Sequence, residues 1–193
     1  VQKMEPGDGV ELEWRVSPTG GLPIAEVGVE VRSDAGGRGV LHLDRLDWSG
    51  APDTVLGAPG RRAEPCERAW VNGADRFRLE GSEGHYRIVQ NEGLGLAIQG
   101  SREWTGYCAT VEVEPHLCSR AGLAVHCQGM KRFYALLLSR AGEVELVRWC
   151  DEPALLARAE FDWRLDEKHT LSLCYDEGEL IGTVDGKELI RAH

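Results

Sequence analysis

The chain has 193 residues, 42% of them hydrophobic, which is enough for one sizeable core or two small ones and too apolar for a disordered tail. Its formal net charge of −10, from 32 acidic against 22 basic residues, disfavours the phosphate neutralisation on which nucleic-acid binding depends. No stretch approaches the roughly 20 apolar residues of a bilayer span, and the N-terminus lacks the basic and apolar regions of a signal peptide, so neither nucleic acid nor membrane is expected as a partner.

The 24 glycines against 3 phenylalanines favour turns over long helices. After Pro6-Gly7-Asp8-Gly9, the segment Val10 to Val16 alternates, with Val10, Leu12, Trp14 and Val16 on one face and Glu11, Glu13 and Arg15 on the other, as in a half-buried strand. Ile24 to Arg32 alternates again, Asp34-Ala35-Gly36-Gly37 turns, and Gly39 to Trp48 returns, which predicts a strand and hairpin unit over 10–52. From Ser49 to Pro65 the apolar period is lost and Gly and Pro accumulate, so 53–69 reads as a linker.

A second unit, 70–193, carries short strand patterns over 86–90, 94–99, 107–114, 122–128, 133–139, 144–149, 157–163, 170–175 and 180–185. Leu180 to Val184 breaks at Asp185-Gly186 and turns back, a hairpin signal. Pro153 to Glu160 fits a short helix or a strand. The expected fold is all-β, an antiparallel β-sandwich of two packed sheets.

The six cysteines, at 66, 108, 118, 127, 150 and 174, form no Cys-x-x-Cys pair and no His stands at zinc-finger spacing. Several lie inside apolar strands, so they are expected to be reduced and buried and the protein cytoplasmic.

Two segments carry a resemblance. Ile24 to Val31 with Gly39 to Trp48 resembles the closing hairpin of galactose-binding-like jelly rolls. The second unit is similar to concanavalin A-like and laminin G-like sandwiches through Gly122-Leu123-Ala124-Val125, Phe133 to Leu138 and Thr183-Val184-Asp185-Gly186, although no closing strand is evident after that turn. With Leu46 to Pro52 and Gln90 to Gly95, the pairing resembles the C-terminal region of bacterial proteins known as ADP-ribosylglycohydrolases. That resemblance implies an accessory module linked covalently to a separate catalytic domain, because the paired Asp motifs of the helical hydrolase domain are absent here. Either strands are missing from both ends, or the N-terminal hairpin completes the second sandwich.

Chemistry-bearing patterns are sparse. A sandwich glycoside hydrolase needs two carboxylates at alternate strand positions, and Glu11/Glu13, Glu112/Glu114 and Glu143/Glu145 have that spacing, each fitting a solvated strand face as well. His126-Cys127 are sequence neighbours directed to opposite strand faces, and no Gly-x-Ser-x-Gly occurs. A structural calcium is a possible cofactor, with Asp44 and Asp47 as its candidate ligands.

Sugar rings stack their C–H faces on aromatic rings while planar polar groups bond the hydroxyls. His126 and Gln128 alternate with Val125 and Cys127, which places them away from the core, near Arg132 and Tyr134. The expected ligand surface therefore comprises Trp104, His126, Gln128, Arg132, Tyr134 and Arg148, taking a carbohydrate or an ADP-ribose-like ligand. A sandwich glycoside hydrolase and a structural or docking domain without a ligand are the alternatives.

Overall fold

The structure is a computed structural model and describes residues 5, 7–17, 24, 26–32, 36–48, 53, 55–56, 69–80, 85–100 and 104–193. Among these there is no helix. Strands run in chain order as β1 (Val71–Asn72), β2 (Arg76–Glu80), β3 (His85–Val89), β4 (Ala97–Ile98), β5 (Tyr107–Val113), β6 (Arg120–Gly129), β7 (Arg132–Ser139), β8 (Glu143–Cys150), β9 (Glu152–Glu160), β10 (His169–Asp176), β11 (Glu179–Val184) and β12 (Lys187–Ala192).

Two four-stranded antiparallel sheets, in the orders β12-β11-β10-β5 and β6-β7-β8-β9, form the sandwich. They adjoin along both sides, β5 beside β6 and β12 beside β9. Period-2 patterning builds the layer between them. Leu171 and Leu173 of β10 turn inward while Thr170 and Ser172 turn out, and on the other sheet Leu136 and Leu138 of β7 meet Val144 and Leu146 of β8. Leu136, Leu138, Leu146, Leu171, Leu173 and Leu180 are fully buried. Each such side chain contributes about 1.5–3 kcal/mol relative to an exposed one, so this layer dominates the stability of the domain. Trp163, past the end of β9, closes one end by donating its indole N–H to the Ser139 carbonyl at 2.8 Å.

Close packing leaves no room for a side chain at two glycines, against backbone at one and against the Leu136 side chain at the other. A Cβ on Gly122 of β6 would overlap the Leu136 carbonyl oxygen, and one on Gly182 of β11 would lie 2.7 Å from Leu136 Cδ1 across the core. On the outer face of the second sheet, Glu145 is 8% exposed and is held by Arg120 at 3.1 Å. Two smaller ribbons, β1–β4 and β2–β3, precede the sandwich. A cluster of Trp70, Phe77 and Tyr86 accompanies β2–β3, with ring centroids 5.1–5.4 Å apart.

The hairpin expected at Asp185-Gly186 is present, and β12 is the closing strand that the resemblance lacked. Pro153 to Glu160 is strand, since β9 pairs with β8 from Cys150↔Glu152 to Glu143↔Glu160. The strands expected over 10–16, 24–32 and 39–48 do not form among the described residues there. Their alternation is intact, but among the described residues no strand pairs with them, and Trp14, Val31 and Val40 are largely exposed.

Cys108 of β5 and Cys174 of β10 are directly opposed and form a disulfide, so the expectation of reduced thiols fails for this pair and ceases to support a reducing compartment. Cys118, Cys127 and Cys150 are free thiols, and Cys66 lies outside the described residues.

Candidate functional site

The strongest concentration of ring and planar polar side chains lies at one end of the sandwich, where strand geometry departs from the regular pleat. Tyr107 opens β5 and is paired with Tyr175 on β10, both turned toward the opposite sheet. Across from them, β6 pairs with β7 regularly as far as Val125↔Tyr134 and resumes at Gly129↔Arg132, leaving Val125 to Gly129 as a bulge.

At His126 the backbone has φ +50°, a left-handed value uncommon outside glycine, and Gly129 follows at φ +152°. The bulge reverses the alternation expected there. His126, expected to point away from the core, turns into the gap between the sheets and stacks on Tyr175 with centroids 4.3 Å apart and planes at 26°. Tyr134 stacks on the same Tyr175 at 5.6 Å and 20°, so three rings bridge the two sheets.

The strained residue is held by a specific bond. The His126 backbone N–H, which has left the β-ladder, donates to the Tyr107 hydroxyl oxygen at 2.8 Å. Burial pushes the Tyr107 hydroxyl above its ordinary pKa, opposed by that accepted N–H. Trp104 sets its edge against Tyr107 at 6.1 Å and 75°. Gln128 places its amide Nε2, a donor, at 3.1 Å from His126 Nε2.

Four of the six expected residues, Trp104, His126, Gln128 and Tyr134, thus join one cluster. The other two lie beside it. Register pairs Tyr134 with Arg148 and Arg132 with Cys150, so Arg132, Tyr134 and Arg148 project from the same face of adjacent strands, the face that further along carries Leu136 and Leu146 into the core. Both arginines are exposed. Tyr107 and Tyr175 were missed because each stands at the end of a predicted strand, where alternation gives a face but not a neighbour; an aromatic at both strand ends was the available signal.

Catalytic chemistry finds little support. Glu143 and Glu145 share a face, yet each is held by its own arginine, Arg158 at 3.6 Å and Arg120 at 3.1 Å. Glu112 lies exposed on β5, and Glu114 stands 3.9 Å from both His116 and Lys168. Burial pushes the Cys127 thiol to about 11, which keeps it protonated at neutral pH and a poor nucleophile beside His126. Asp47 accepts the Trp48 backbone N–H at 2.9 Å and lies 3.9 Å from Arg45. No three His, Cys, Asp or Glu side chains converge among the described residues.

No family model matches the chain, and no curated protein matches it. Among solved structures, it is similar to the carbohydrate-binding module CBM66 from Bacillus subtilis, with a TM-score of 0.57 over 65% of this chain and 79% of that one, at 11% identity. At that identity the likeness shows the fold, an all-β antiparallel sandwich.

Proposed function

We propose that the chain is a non-catalytic carbohydrate-binding module. The observation that carries this is the cross-sheet stack of His126, Tyr134 and Tyr175, half-buried at one end of the sandwich and rimmed by Gln128, Arg132 and Arg148. Ring faces and edges take the C–H surface of a sugar while the planar polar groups bond its hydroxyls. The fold shared with a carbohydrate-binding module supports the reading, as does the neutralisation of the Glu143 and Glu145 pair that a hydrolase would need free. The proposal includes a catalytic domain in cis, of the ADP-ribosylglycohydrolase type that the sequence resembles, for which this module would hold substrate.

The test is isothermal titration of the chain against neutral and acidic oligosaccharides and ADP-ribose. Saturable binding that falls at least tenfold in Tyr175→Ala, with the fold retained by circular dichroism, supports the site. Absence of binding across the panel refutes it in favour of the second reading, a docking domain without a ligand. The exposed apolar side chains of Leu12, Trp14, Val29, Val31 and Leu43 favour that alternative, since they would be covered by another protein surface.

A further inference from the structure

The same site carries information about which sugar it takes, an inference that rests on the carbohydrate-binding reading. We propose that the site selects a sugar bearing an oxyanion, a carboxylate or a sulfate ester, through Arg132 and Arg148.

The chain is acidic overall, with a net charge of −10. On the sheet that carries the site, Arg120 is bonded by Glu145 and Arg158 by Glu143. Beyond the ladder, the side chains of Arg132 and Arg148 have neither a hydrogen bond nor an ion pair with any described residue, and both are exposed. They are diagonal neighbours on β7 and β8, with Tyr134 directly opposite Arg148. Two guanidinium forks therefore flank one half-buried ring, itself stacked on Tyr175.

A neutral sugar would use the ring and leave both forks in water. A sugar with an oxyanion uses them together, because guanidinium donors match carboxylate or sulfate oxygens in pairs while the pyranose face lies on the aromatic rings. His126 and Gln128, already bonded to each other at 3.1 Å, offer a hydroxyl partner on the other side of Tyr134.

Carboxylates also stand nearby and limit the effect. Glu152 of β9 is opposite Cys150 on the same face, Asp151 lies in the preceding turn, and Asp176 and Glu177 follow Tyr175. None is paired with either arginine. They and the net charge oppose long-range attraction of a polyanion, so the selectivity must arise at contact and weaken with salt.

The experiment titrates the whole chain with trigalacturonate and with its fully methyl-esterified form, which keeps the rings and removes the charge. A κ-carrageenan tetrasaccharide and its desulfated form serve as the sulfate arm. The expected result is a tenfold or greater preference for the charged member of one pair. That ratio should fall to about one in Arg132→Gln/Arg148→Gln at unchanged melting temperature. The pair showing the preference identifies the anion as carboxylate or sulfate. Equal binding of charged and neutral members overturns the inference and leaves carbohydrate binding standing. A preference that survives the double substitution overturns the assignment to these arginines. If none of the four probes binds, the inference falls, and the neutral sugars of the wider panel decide separately whether the module binds carbohydrate.

Discussion

The Cys108–Cys174 disulfide allows a quantitative test of the fold, because its two residues are 66 positions apart and directly opposed on β5 and β10. Closing a loop of that length removes about 4 kcal/mol of unfolded-chain entropy at 25 °C, between the values for much shorter and much longer loops. The native ladder supplies the β5–β10 pairing with or without the bond, so Cys108→Ser/Cys174→Ser should fold to the same sandwich with lower stability. For a chain of this size each kcal/mol shifts the melting temperature by roughly 2–4 °C, which gives a fall of about 8–16 °C. Urea unfolding followed by circular dichroism should show the lower midpoint together with a larger m-value, since the uncrosslinked denatured chain exposes more surface. Alkylation under denaturing, non-reducing conditions should leave Cys108 and Cys174 unlabelled in the parent protein. If both cysteines are labelled, or if reduction moves the melting temperature by less than about 2 °C, the cross-link or its entropic account is wrong. Because Tyr107↔Tyr175 is the adjacent pair of the same ladder, ligand affinity should also fall on reduction.

Three further outcomes follow from individual contacts. Gly122→Ala sets a methyl against the Leu136 backbone carbonyl, where rotamer changes give no relief, and should cost about 3 kcal/mol or more in chemical denaturation. Tyr107→Phe removes the acceptor for the His126 N–H and should cost about 1–3 kcal/mol, while ring NMR shifts at Tyr175 and Tyr134 report a displaced stack. Asp185 receives hydrogen bonds from His169 and from the Thr170 N–H, which hold its carboxyl below the usual value. A depressed carboxylate adds stability above its unfolded pKa of about 3.9 and loses it as pH falls through the folded value. Asp185→Asn should therefore be less stable than the parent at pH 7 and converge with it as the pH falls below about 3.9 and through the folded value in melting experiments.

The sandwich was legible in the sequence wherever a strand is regular. Period-2 alternation over 107–113, 133–139 and 170–175 depends only on neighbouring residues, and the Asp185-Gly186 turn declares its own hairpin. Two features were not legible, for the same physical reason. The opposition of Cys108 to Cys174 is a matter of register between strands far apart in the chain, which no local pattern states. The three N-terminal alternating segments satisfy the local rule and still form no strand among the described residues, because a strand exists only through the partner that bonds it.

The bulge in β6 shows how the site escapes the same rule while depending on it. Regular alternation places His126 outside; the extra residues between Val125 and Gly129 place it inside, at a backbone angle that β-branched residues would resist. That conformation persists because the N–H released from the ladder is taken up by Tyr107 on the other sheet and the imidazole by the face of Tyr175. Both anchors come from the one strand pair that the disulfide ties together. The departure from the pleat, the aromatic stack and the cross-link are thus one mechanical unit. Arg132 and Arg148, which stand at its edge on regular strands, are free to meet a ligand because nothing in that unit engages them.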